Sequence, residues 1–106
     1  MSLRAAPMSD PRVCIIILHL DSQAALLACL RSCRAIQYEN YEIIIVENGS
    51  PRPLDPHTLK DCAGRTPIVI RSPVNLGFSG GNNLGIKAAL ARGSDPKTAA
   101  SSFPLT

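Results

Sequence analysis

Two stretches of this chain are apolar and branched without interruption, Val13–Leu20 (VCIIILHL) and Tyr41–Glu47 (YEIIIVE). A strand with one wetted face alternates polar and apolar residues, whereas unbroken runs of this kind suit strands covered on both faces, as in a parallel sheet with helices above and below. The intervening sequence supplies such a helix. Leu26, Cys29, Leu30 and Cys33 recur at helical spacing up to about Arg34, and Asp21 or Ser22 stands where a cap is needed. Asn48-Gly49-Ser50-Pro51 then ends the second strand in a turn.

The same alternation continues. Pro51, Pro53 and Pro56 exclude an early helix, but Pro56 to Cys62 fits a short one with Pro56 in its first turn. Ile68 to Ile70 reads as a third, shorter strand closed by Ser72-Pro73, followed by a glycine-rich stretch and a helix from about Gly80 to Arg92, with Gly93 as its stop. Strand and helix alternating three times predict an α/β fold: a three-stranded, parallel, Rossmann-like sheet flanked by helices with right-handed crossovers. Residues 1–12 read as a flexible leader, 13–93 as the domain, and 94–106, with two prolines and no apolar period, as an irregular tail.

Such a sheet is incomplete. In a doubly wound sheet the first strand is interior, and the fourth lies beside it on the side away from the second. No segment after Gly93 has the apolar pattern of a strand, so the first strand is expected to keep an open edge. Unpaired N–H and C=O groups there motivate a homo-oligomer formed through that edge.

At 106 residues, 45% hydrophobic and 18% charged, the chain suits one small folded domain. Only 4% is aromatic, without Trp, and the net charge of +3 is scattered, which argues against a nucleic-acid partner. No apolar run approaches the roughly 20 residues of a membrane helix. The first twelve residues lack a secretory signal, so the expected location is cytoplasmic. Cys14, Cys29, Cys33 and Cys62 form no CxxC pair and read as reduced thiols serving as small core residues. Cys29 with Cys33, and His57 with Asp61, are each spaced four apart, but neither pair belongs to a known zinc spacing, and no metal site is expected.

Ligands of parallel α/β sheets sit at the carboxyl ends of the strands. Three segments meet there: His19-Leu20-Asp21-Ser22, Glu47-Asn48-Gly49-Ser50, and Asn75 to Asn83, which includes Gly80, Gly81 and Asn82. Their carboxylates, amides and hydroxyls suit base edges and ribose hydroxyls, and their glycines admit close backbone approach. Together they predict a nucleotide site, although each alone has a plain structural use as a turn, a cap or a helix entry. Glycines 77, 80, 81 and 85 fit neither GxGxxG nor a P-loop, and no catalytic constellation has a recognisable local signature.

In this order, VCIIILHLDS, YEIIIVENGS, IVIRS and NLGFSGGNNLGIKAALARG resemble family 2 glycosyltransferases with the GT-A fold, over about Val13 to Asp95. The last block looks like the branch containing rhamnosyltransferase-like enzymes of cell-surface polysaccharide assembly. The resemblance implies an incomplete GT-A nucleotide-binding half, from an enzyme that transfers sugar from a UDP- or dTDP-linked donor to an acceptor hydroxyl with inversion. It also implies that His19, Asp21, Glu47 and Asn48 face the nucleoside while Asn75, Gly80, Gly81 and Asn82 line the base and ribose pocket. Leu20 stands where the family commonly has an aromatic residue, and Glu47 where it has Asp. Family members carry Mg²⁺ or Mn²⁺ on an Asp-x-Asp motif and use a later carboxylate as base; these 106 residues contain no Asp-x-Asp, so no catalytic or metal residue is assigned and the chain alone is expected to be inactive. The alternative expectation is a non-catalytic, self-associating α/β module.

Overall fold

The computed structural model describes residues 12–20, 22–49 and 53–100. The chain alternates as the apolar pattern requires: β1 (Val13–His19), α1 (Gln23–Arg34), β2 (Tyr41–Asn48), α2 (Pro56–Ala63), β3 (Ile68–Ser72), α3 (Gly77–Ala91) and β4 (Asp95–Ala100). All pairings are parallel and the strand order is β3-β2-β1-β4.

The unbroken apolar runs are explained by cover on both faces. Alternate residues of β1 and β2 divide between two cores. Ile17, Ile43 and Ile45 pack with Leu26, Leu30 and Cys33 of α1 and Leu59 and Ala63 of α2. Cys14, Ile16, Leu18, Ile44 and Val46 pack on the opposite face with Ala89 of α3. Burying each such Ile, Leu or Val contributes about 1.5–3 kcal/mol. Cys14 and Cys33 are therefore core residues, as expected, and all four thiols are free.

Helix ends follow local chemistry. Asp55 caps α2 through His57 N–H at 3.0 Å, with Pro56 in the first turn as predicted. Ser22 occupies the N-cap position of α1 without a side-chain bond, and Asp21, the other expected cap, lies outside the described residues. Arg34 at the end of α1 donates to the Asp61 carbonyl at 2.9 Å and ties α1 to α2. At the amino end of the sheet, Glu42 joins β2 to the end of α3: its Oε1 accepts from Arg92 Nε at 2.9 Å and its Oε2 from Ser94 Oγ at 2.7 Å. On the opposite face of the sheet the Arg65 guanidinium lies 3.6 Å from the centre of the Tyr41 ring.

Two expectations need correction, the number of strands and the start of the third helix. The sheet has a fourth strand, and residues 95–100 of the segment expected to be irregular form it. It pairs with β1 from Val13↔Asp95 to Leu18↔Ala100, as the edge strand whose addition makes β1 interior, which the topology demands. The reason is tertiary: DPKTAA has poor strand propensity and contains Pro96, but an edge strand tolerates proline, and pairing satisfies backbone groups of β1. The edge of β1 is consequently covered along its length, which removes the physical motive for self-association through it. The third helix also begins earlier than expected, at Gly77. The leader expected at 1–12 falls, apart from Arg12, outside the described residues.

Candidate nucleotide site

The carboxyl edge of the sheet is built from registered residues of three neighbouring strands. His19 of β1 pairs with Glu47 of β2, which pairs with Arg71 of β3; one step further, Asn48 pairs with Ser72. Strand alternation puts His19, Glu47 and Arg71 on the α1/α2 side and Asn48 and Ser72 on the α3 side. His19, Glu47, Asn48 and Ser72 are all buried, an unusual density of polar groups at one end of an apolar sheet.

Glu47 is the charged group at the centre. Its side chain is 1% exposed, its Oε2 accepts the Leu54 N–H at 2.5 Å, and its Oε1 lies 3.8 Å from Arg71 Nε. The loop leading into α2 thus fixes one carboxylate oxygen. The other is buried and accepts no hydrogen bond among the described residues. A buried acceptor left open in this way is costly unless a ligand or water donates to it.

Asn48 is fully engaged by the backbone. Its Oδ1 accepts Leu76 N–H and its Nδ2 donates to the Gly77 carbonyl, each at 2.9 Å, so this side chain pins the loop that enters α3. Gly49 follows at φ +90°, and a Cβ there would lie 2.5 Å from the Asn75 nitrogen; glycine is required because strand end and loop touch. Ser72 completes the fastening: its carbonyl accepts Gly49 N–H at 3.1 Å and its hydroxyl donates to the Val74 carbonyl at 2.6 Å.

Beyond that clamp, exposed Asn75 accepts the Gly77 N–H on its Oδ1 at 2.8 Å. Gly80 is half-buried, with Leu76 Cβ only 2.7 Å from where its own Cβ would lie. Gly81 and Gly85 let α3 descend onto the sheet: added Cβ atoms would lie 3.0 Å from Leu18 Cδ2 and 2.4 Å from Ile16 Cγ2 respectively. Asn82 follows in the second turn of α3, and its Oδ1 is buried without a hydrogen-bond partner among the described residues.

His19, Glu47, Asn48, Gly49, Asn75, Gly80, Gly81 and Asn82 therefore belong to the strand ends and the adjoining turns of one sheet edge. Asp21 lies outside the described residues. Arg71 is absent from the site read in the sequence because the apolar pattern marks the third strand only to Ile70, whereas β3 continues to Ser72. That continuation places Arg71 beside Glu47 on the face shared with Val69. Among the described residues no group of three or more His, Cys, Asp or Glu side chains could hold a metal ion. No helix among them is long and apolar enough to cross a membrane.

The sequence profile of glycosyl transferase family 2 matches residues 14–92, which span β1 through α3 and every segment of this edge except its outermost strand. The chain belongs to glycosyl transferase family 2. No individual curated protein matches it. The family places the chain among glycosyltransferases that use nucleotide sugars, and the α/β parallel sheet is that of a partial GT-A, Rossmann-like domain.

Proposed function

We propose that this chain supplies the nucleoside-binding part of an inverting glycosyltransferase that takes a UDP- or dTDP-linked sugar, in the rhamnosyltransferase-like branch that serves cell-surface polysaccharide synthesis in the cytoplasm. The observation that carries the reading is Glu47: a buried carboxylate at the carboxyl end of a parallel strand, one oxygen tied to Leu54 N–H and the other open to a donor. Uracil and thymine present a ring N–H to such an acceptor. Asn82 Oδ1 offers a second buried acceptor from α3, and His19 bounds the site from β1.

The chain's own residues bind and orient in this reading. Asn48, Gly49 and Ser72 act at one remove by holding residues 74–77, the loop into α3, against the strand ends. No sugar transfer is ascribed to these residues alone, since the sequence holds no Asp-x-Asp and, among the described residues, no group of three or more His, Cys, Asp or Glu could hold a metal ion. The alternative of a self-associating module is set aside because β4 fills the edge that motivated it. Calorimetric titration with UDP and dTDP, each with and without Mn²⁺, tests the reading. Saturable binding that does not depend on the metal is expected; absence of binding at millimolar nucleotide refutes it.

A further inference from the structure

We infer that Arg71 is a positioning residue for nucleotide binding: it acts through Glu47, holding the carboxylate so that Oε1 faces the ligand. The inference rests on the nucleotide-binding reading and goes beyond it, since neither the strand-end motifs nor the glycine-rich block includes Arg71. Four observations carry it. Arg71 and Glu47 are register partners on adjacent parallel strands, and alternation puts them on the same face. The Arg71 side chain is 43% exposed and that of Glu47 1%, so the cation reaches from the rim over a buried anion. The separation of 3.8 Å is an ion-pair contact without a hydrogen bond, which leaves the acceptor capacity of Oε1 unspent. Finally, Oε2 accepts the Leu54 N–H, so one carboxylate oxygen is held by a backbone donor and the other faces a cation.

An ordinary exposed ion pair in this position would contribute little to stability and nothing to binding. A pair acting as a unit gives a different signature: once the carboxylate is neutralised, the arginine has nothing left to position. A double-mutant cycle separates the two cases. UDP binding is measured by calorimetry for the unmodified chain, Arg71→Gln, Glu47→Gln, the double variant and Arg71→Lys, with thermal unfolding recorded for each. Arg71→Gln is expected to weaken binding about tenfold, the order of one lost charge-assisted contact. The double variant should bind no more weakly than Glu47→Gln, and Arg71→Lys should recover part of the loss while thermal midpoints stay together.

Unchanged binding by Arg71→Gln overturns the inference and leaves the nucleotide reading standing. So do losses that multiply in the double variant, because Arg71 then acts independently of Glu47. If the unmodified chain binds neither UDP nor dTDP, the nucleotide reading and the role of Arg71 fall together.

Discussion

Asn48 and Gly81 occupy complementary space: a Cβ on Gly81 would sit 2.7 Å from Asn48 Nδ2 and 3.1 Å from its Cγ. The carboxamide that clamps the α3 loop fits only because the helix facing it has no side chain at that point. Both residues read from sequence as nucleotide contacts, and the structure joins them first to each other.

Replacing Gly81 by Ala should therefore act on the clamp. Alanine favours helix over glycine by about 1 kcal/mol, but overpacking against Asn48 and Leu18 costs about 1–3 kcal/mol, so net destabilisation is expected. Gly85→Ala should cost at least as much, its Cβ lying 2.4 Å from Ile16 Cγ2. Urea unfolding of both variants checks the order, and a stabilised Gly85→Ala would contradict it.

Asn48→Ala removes an acceptor from Leu76 N–H and a donor from the Gly77 carbonyl. The two orphaned groups should cost about 1–3 kcal/mol, with faster hydrogen exchange confined to Leu76 and its neighbours. Asn48→Asp keeps the bond to Leu76 but sets an oxygen against the Gly77 carbonyl, so it should fall between the unmodified chain and Asn48→Ala.

Glu42 makes stability depend on acid. Burial pushes its carboxyl up, but hydrogen bonds from Ser94 and Arg92, with the charges of Arg92 and Arg12, outweigh burial and hold it below its ordinary 4.5. The unfolded chain then binds the proton more readily, so the contribution is present above pH 4.5 and is lost as pH falls through the lowered value. Glu42→Gln should flatten the acid limb of a stability-against-pH curve; an unchanged limb would show that Glu42 does not shape it.

The thiols should react in a set order. A hydrogen bond from Cys33 draws half-buried Cys29 down to about 7 against the upward pull of burial. The same bond, with burial, pushes Cys33 up, and burial and then Glu42 push Cys14 to about 11. Iodoacetamide at neutral pH should modify Cys29 well before Cys14 or Cys33. Cys33→Ala should slow it by returning Cys29 toward 9.0. Mass spectrometry of the alkylated peptides reads both outcomes.

The strands with continuous branched runs, β1 and β2, were legible in sequence because burial on both faces leaves no polar alternation to confuse them. The strand β4 was not. Its residues carry no apolar signal, and only the unpaired edge of β1, a tertiary fact, recruits them. At the candidate site, the motif-bearing segments read from sequence lie along one sheet edge, but their division of labour was hidden: Asn48 looks as suited to a ligand as Glu47 until the Leu76 and Gly77 contacts are known. Arg71 escaped because its place beside Glu47 depends on register, which propensity does not encode.

The second strand carries one glutamate near each end, Glu42 and Glu47, pointing to opposite faces of the sheet. The first is saturated by Arg92 and Ser94, while the second keeps an oxygen in reserve. Mutational drift would meet two independent constraints along this short stretch of chain. Glu42 answers to the stability of the fold, whereas the open oxygen of Glu47 adds nothing to it.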